Sequence, residues 1–201
     1  MRLSAAELAC HRGGRSVFSG VSFAVASGEA LTISGRNGAG KSSLLRLVAG
    51  LLRIAAGRFS LEDGDPELSI AEQAHYLGHQ DALKGSLSVA ENLRFWTGFL
   101  GVRSADIGDS LETVGLGALA GLPAAYLSAG QRRRLSIARL IAVPRPIWLL
   151  DEPSSTLDTA AQDRLADLMH AHLAGGGLIL AASHGPIGLQ QTQELRLGEE
   201  Q

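Results

Sequence analysis

The chain has 201 residues, 45 % of them apolar and 19 % charged, with a formal net charge of −2. That is a globular composition, long enough for one real core and without the basic excess that nucleic-acid binding draws on. One cysteine, Cys10, excludes an internal disulfide framework and points to a reducing compartment. No long apolar run follows the charge in Met1–Glu7, so no secretory leader is expected. Residues 44–52 are apolar but short and broken by Arg46, and 176–183 have only the length of a strand, so no membrane span is expected and the chain reads as soluble on its own.

In chain order, Leu3–Leu8 and Val21–Val25 read as strands, joined through the polar turn His11-Arg12-Gly13-Gly14-Arg15. Ala30–Ser34 reads as a short buried strand and Ser43–Gly50 as a helix closed by glycine. Arg58–Leu61 and His75–Gly78 read as further strands, the second delivering His79 and Gln80. From Ser88 the period turns helical, with Val89, Leu93 and Trp96 on one face and Glu91 placed for a capping box. A second helix is predicted from about Ser104 to Val114, and glycines then break the chain before Tyr126, which marks 81–126 as a small helical insertion. Ser128–Val143 reads as a helix with Leu135, Ala138 and Leu140 inward, stopped by Pro144 and Pro146. Ile147–Leu150 is an apolar strand ending at Asp151-Glu152, followed by a helix over Thr159–Leu173, the strand Leu178–Ala182 and an edge strand at Glu194–Leu197. Apolar strands alternating with helices predict a mostly parallel α/β core.

Gly35-Arg36-Asn37-Gly38-Ala39-Gly40-Lys41-Ser42 satisfies G-x-x-x-x-G-K-[ST], between a strand and a helix. In that setting glycines let backbone N–H groups turn inward and the helix dipole adds partial positive charge. Lys41 then reaches the β- and γ-phosphates of a nucleoside triphosphate, and the Ser42 hydroxyl reaches Mg²⁺. Asp151, after four apolar residues, emerges at the carboxyl edge of the sheet, where an Asp holds Mg²⁺. Glu152 is placed to polarise an attacking water. Gln80 and His184 each follow a strand-like segment. By themselves they read as a loop glutamine and a strand-end histidine; their order among the other motifs favours a role at the phosphates. Ser128-Ala129-Gly130-Gln131 opens a helix and makes a second anion site, which one phosphate loop in one chain does not need. A head-to-tail pair of chains, each closing on the other's nucleotide, uses both. Arg132, Arg133 and Arg134 follow, read either as a solvated basic face or as support for the partner's phosphates.

With these residues the chain resembles the ATP-binding cassette (ABC) ATPases over nearly its whole length. Gly35–Ser42 matches Walker A, Gln80 the Q-loop, Leu127–Gln131 the signature (with Ala129 in place of the commoner glycine), Asp151 and Glu152 Walker B and the catalytic glutamate, Ser155-Thr156-Leu157-Asp158 the D-loop, and His184 the switch histidine. The resemblance implies an α/β P-loop NTPase fold with an N-terminal antiparallel β region. It implies one domain over 1–201, with a RecA-like core at 1–80 and 144–201 and a helical, signature-bearing part at 81–143. It also implies ATP and Mg²⁺ as cofactors. Gly35 to Ser42 with Ser43, and the signature Ser128, Ala129, Gly130 and Gln131, hold the nucleotide; Ser42, Gln80 and Asp151 hold the metal; Glu152, His184, Gln80 and Lys41 act in hydrolysis. The family's adenine-stacking aromatic is missing, and Cys10-His11-Arg12-Gly13 stands in its place, so His11 or Arg12 is expected to stack instead.

Segments such as Leu77-Gly78-His79-Gln80 and Glu91-Asn92-Leu93-Arg94-Phe95-Trp96 resemble the branch of the family that serves cytochrome c maturation. That implies a homodimer in the ATP state, peripheral on the cytoplasmic face of a bacterial inner membrane, with integral-membrane permease subunits of the maturation system as partners. No nucleic acid is implied, and no C-x-x-C-H or Met/His cluster for haem is visible. The other readings are a soluble ABC ATPase acting as an assembly scaffold, or the ATPase of a different permease. Phe95, Trp96 and Phe99 are expected either to line a groove for a helix of a membrane subunit or to form the core of the helical insertion.

Overall fold

The computed structural model describes residues 1–102 and 104–198. The strands are β1 (Arg2–Arg12), β2 (Arg15–Ala26), β3 (Ala30–Gly35), β4 (Ala56–Glu62), β5 (Ala74–Leu77), β6 (Ile147–Asp151), β7 (Leu178–Ala182) and β8 (Gln193–Leu197). The helices are α1 (Lys41–Val48), α2 (Val89–Phe99), α3 (Ile107–Thr113), α4 (Ala129–Ala142) and α5 (Thr159–Ala174). They form two compact units: Met1–His79 with Arg145–Pro153 and from Leu168 on, and Gln80–Pro144 with Ser154–Asp167. Among the described residues no helix is long and apolar enough to cross a membrane.

The first unit holds a five-stranded sheet in the order β5-β6-β7-β3-β8, parallel throughout, and a three-stranded antiparallel sheet in the order β2-β1-β4. Every residue of β6 and β7 is buried. Their unbroken apolar runs belong in a parallel sheet covered on both faces. Leu44, Leu45, Leu47 and Val48 of α1 join Ile33, Leu149 and Leu180 of the parallel sheet and Leu3, Leu8 and Phe18 of the antiparallel sheet in one core. Behind the sheet, Trp148 of β6 stacks on His172 of α5, ring centroids 4.0 Å apart. Burial lowers the His172 pKa, against hydrogen bonds to the Leu178 and Pro146 carbonyls.

Two differences from the sequence reading have local causes. β1 and β2 run several residues past the predicted strands because their pairing is irregular between Ala5 and Leu8 and again around Cys10. Such bulges break the two-residue alternation by which a strand is recognised. The helix predicted from Ser104 begins at Ile107 because the Asp106 side chain accepts from the Asp109 amide and caps it there.

In the second unit α2, α3 and α4 pack on one another, burying Val89, Leu93, Leu111 and Leu135. α2 and α4 both open with complete capping boxes, Ser88 with Glu91 and Ser128 with Gln131. A good cap contributes about 1 kcal/mol, so these starts are fixed locally. The predicted inward residues of α4, Leu135, Ala138 and Leu140, are all buried.

Candidate functional site

The loop between β3 and α1 is shaped by its glycines. Gly35 and Gly40 have φ of +135° and +103°. A Cβ on Gly35 would lie 2.4 Å from the Leu197 carbonyl oxygen, and one on Gly40 2.7 Å from both Val17 and Phe18. Only glycine takes such backbone without strain. Gly40 is also the N-cap of α1 and brings no side chain to close the helix end, so the first-turn N–H groups face outward as an anion cradle. Lys41, 8 % exposed, folds across the loop: Nζ donates to the carbonyls of Gly35 (2.8 Å) and Arg36 (3.3 Å) and lies 3.3 Å from His184 Nε2.

Asp151 closes β6 at its carboxyl end and is 3 % exposed. Its Oδ1 accepts from Ser42 Oγ at 2.9 Å and its Oδ2 from Tyr76 Oη at 3.2 Å. Tyr76 Oη in turn accepts from Arg46 Nε at 3.1 Å. Burial, more than its polar neighbours, pushes the Tyr76 pKa up, so the phenol keeps its proton; the bond to Tyr76 raises that of Arg46. Glu152 turns out of the strand with φ +48°, its N–H donating to the Ala182 carbonyl. This left-handed turn costs a non-glycine residue roughly 1–2 kcal/mol. Its Oε1 lies 3.7 Å from His184 Nε2, both side chains partly exposed.

These groups share one cleft of ≈ 600 Å³, within the roughly 300–1,000 Å³ of small-molecule sites. Its walls include Asn37, Gly38, Gly40, Lys41, Ser42, Ser43, Asp151, Glu152 and His184. The end of the β1–β2 hairpin completes it with Arg12, Arg15, Ser16 and Val17, Arg12 and Arg15 being a register pair. Of the two expected base-stacking candidates, Arg12 lines the cleft; His11 is exposed and is not one of its lining residues. Arg15, Ser16 and Val17, and the pair Tyr76 and Arg46, were missed by sequence reasoning. Residues directly after a hairpin turn carry no pattern of their own, and Tyr76 with Arg46 are 30 positions apart.

The remaining expected residues belong to the second unit. Gln80 is exposed, three residues beyond the end of β5. Ser128 Oγ accepts from the Gln131 amide at 3.2 Å while Gln131 Oε1 accepts from the Ser128 amide at 2.8 Å. An accepting hydroxyl retains its own proton to donate. A Cβ on Gly130 would stand 2.8 Å from the Thr156 carbonyl oxygen; the D-loop residue passes directly over this position, so glycine is required at 130 while position 129 accepts alanine.

The arginine run is not a solvated face. Arg133, 2 % exposed, pairs with Asp81 at 3.5 Å, and Ser136 Oγ donates to the Asp81 carbonyl at 2.9 Å. Arg134 donates to the carbonyls of Val114 (3.1 Å) and Gly115 (3.0 Å). These lie at the C-terminus of α3, where the helix dipole favours a cation. Arg132 donates to the Leu127 carbonyl. The three cations that burden the start of α4 are thereby spent on carbonyls and a carboxylate. The aromatic trio is not insertion core: Phe95 and Phe99 are 57 % and 71 % exposed. Half-buried Trp96 donates Nε1–H to the Ala82 carbonyl and lies under Arg139, 4.5 Å from its ring centroid.

A glycine loop running into a helix N-terminus, a lysine over that loop and an acidic strand end bonded to the loop serine define a P-loop nucleotide-binding protein. Comparison with known proteins narrows the class. The family profile "ABC transporter" matches residues 18–155. "Cytochrome c biogenesis ATP-binding export protein CcmA" of Nitrobacter winogradskyi is 63 % identical over 198 residues, and the proteins of that name from two Rhodopseudomonas palustris strains are 61 % identical; each alignment covers 98 % of both chains. Among solved structures, a putative ABC transporter ATP-binding protein from Pyrococcus furiosus superposes with a TM-score of 0.83 at 22 % identity over 98 % of both chains. The ATP-binding subunit of another ABC transporter gives 0.80 at 24 %, covering 92 % of this chain and 80 % of that one. The chain belongs to the ABC transporter family as an ATP-binding ATPase, and within it to the cytochrome c biogenesis ATP-binding export proteins.

Proposed function

We propose that this chain is the ATP-hydrolysing subunit of a bacterial inner-membrane ABC complex that serves c-type cytochrome biogenesis, and that it works as a dimer with two ATP molecules in its interface. The observation that carries the pathway is the 63 % identity, over 98 % of both chains, to a protein bearing that name.

In this reading the N–H groups of Gly38 and of Gly40 to Ser43 and the Lys41 ammonium hold the β- and γ-phosphates; the nearby loop backbone of Gly35, Arg36, Asn37 and Ala39, whose N–H donates to the Arg36 carbonyl, sets the curvature. Ser42 and Asp151 present hard oxygen donors, hydroxyl and carboxylate, 2.9 Å apart. Such a set suits Mg²⁺, which takes few protein ligands and keeps waters and phosphate oxygens; Gln80 adds an amide oxygen. Bound there, Mg²⁺ would neutralise charge that develops on the phosphates. Glu152 accepts a proton from the water that attacks the γ-phosphorus, and the bond from that phosphorus to the β–γ bridging oxygen breaks to release ADP and phosphate. His184, within reach of both Lys41 and Glu152, hydrogen-bonds the γ-phosphate and orients that water. Arg12 stacks on or pairs with the base, with Arg15 beside it. The Ser128, Ala129, Gly130 and Gln131 segment of a second copy covers the γ-phosphate from the other side, its Ser128 proton and α4 N-terminus both directed at anions.

The membrane partner in this reading is an integral-membrane permease, to one of whose cytoplasmic helices the exposed Phe95 and Phe99 offer an apolar surface, and the chain works peripherally at the cytoplasmic face. The test is to purify tagged Glu152→Gln protein with ATP from detergent-solubilised membranes of its own source. Recovery of a polytopic protein with cytochrome c maturation proteins is expected. A different permease would retain the motor and discard the pathway, and recovery of no membrane protein would favour a soluble assembly scaffold.

A further inference from the structure

The Asp151 carboxylate is bonded by the phosphate-loop serine and also by a tyrosine from outside that loop. Ser42 and Arg46 lie one turn apart on α1, on the same helix face. Ser42 donates directly to Asp151 Oδ1 at 2.9 Å. Arg46 acts through an intermediary: its Nε donates to Tyr76 Oη at 3.1 Å, and Tyr76 Oη lies 3.2 Å from Asp151 Oδ2. The sheet register brings the tyrosine there, because Tyr76 pairs with Leu149 in the parallel β5–β6 ladder and Asp151 is two residues further along β6, on the same face. A guanidinium has no acceptor, so the Arg46 bond consumes a lone pair of the phenol and leaves its one proton to point at the carboxylate. Arg46 therefore sets the tyrosine's hydroxyl rotor, and the tyrosine sets the carboxylate.

We propose that Tyr76, oriented by Arg46, is a positioning residue for the divalent cation of the ATPase site: it ties down Oδ2 of Asp151 so that Oδ1 stays beside Ser42. The inference rests on reading Ser42 and Asp151 as ligands of that cation. Without the tyrosine the carboxylate loses a restraint on its terminal torsion, which is soft, and the donor pair on Oδ1 and Oγ is less firmly pre-formed. The nucleotide's own contacts, made by loop N–H groups and Lys41, do not involve Tyr76.

The test is Mn²⁺ binding followed by electron paramagnetic resonance in the presence of ADP, beside ADP affinity measured in EDTA. Tyr76→Phe removes one oxygen and is expected to weaken Mn²⁺ about ten- to hundredfold, the scale of losing an outer-shell hydrogen bond to a metal-ligating carboxylate, with metal-free ADP affinity unchanged. Arg46→Leu should weaken Mn²⁺ in the same direction by a smaller factor, and the double variant should be no worse than Tyr76→Phe alone, since the two act in series. A purely structural tyrosine would lower metal-free ADP affinity as much as Mn²⁺ affinity, and that result overturns the proposal. Unchanged Mn²⁺ affinity in Tyr76→Phe, or in folded Arg46→Leu should the first variant not fold, also overturns it. Asp151→Asn separates the two levels. If it weakens Mn²⁺ while Tyr76→Phe does not, only the positioning role fails; if it too leaves Mn²⁺ binding intact, the cation site itself has been misassigned.

Discussion

Replacing Lys41 by alanine is expected to lower ATP hydrolysis by about 10³-fold, the scale of deleting a charge-stabilising donor from a phosphoryl-transfer site. The lysine's present contacts explain why the loss falls on chemistry more than on the fold. Its ammonium is 2.8 Å and 3.3 Å from two carbonyls of a loop bordering an open cleft, and water can replace it at those carbonyls. Among the described residues no other ammonium lines the cleft: its other cationic side chains are Arg12 and Arg15, both on the β1–β2 hairpin. Nucleotide affinity should fall as well, because Lys41 meets charge in the ground state as well as the transition state. Phosphate release under saturating ATP checks the prediction, and a near-normal rate would contradict the assignment of the loop.

The Glu152→Gln protein should still bind ATP but hydrolyse it about 10²–10⁴ times more slowly, as expected for the loss of a general base. The amide has the same shape and keeps the left-handed turn at φ +48° and the bond from its N–H to the Ala182 carbonyl, so the site is preserved while its proton acceptor is gone. ATP that is bound and not consumed should hold two copies together. Light scattering after gel filtration should then find a dimer in MgATP and a monomer in EDTA. A protein that stays monomeric in MgATP and hydrolyses at the normal rate would remove Glu152 from the role of base and weaken the case for a shared site.

Features encoded within a few residues were legible in the sequence. The phosphate loop declares itself by its spacing, the α2 and α4 starts by their capping boxes, and Asp151 by the four apolar residues before it, all buried in the parallel sheet. What was not legible depends on partners distant in the chain. Arg134 meets the end of α3 some 20 residues earlier and Arg133 meets Asp81, so a basic run that looks solvated becomes a set of clamps only once three helices have packed. Tyr76 gives no sign of contacting Asp151, 75 positions away, until the β5–β6 register is known. The ends of β1 and β2 were hidden by irregular pairing, which erases alternation while leaving the hydrogen-bonded ladder intact. The exposure of Phe95 and Phe99 was one of two readings the sequence left open: aromatic residues at helical spacing imply burial on average, and here that side of α2 faces solvent.

The most direct test of the account is genetic and chemical at once: substitute Lys41→Ala for the chromosomal copy in the source bacterium and stain its proteins for covalently bound haem. Loss of the c-type cytochrome bands, with non-covalent haem proteins at normal levels, is the predicted result. Full c-type staining in cells whose only copy of this ATPase is the inactive variant would contradict the assignment to cytochrome c biogenesis and leave an ABC ATPase that drives some other membrane complex.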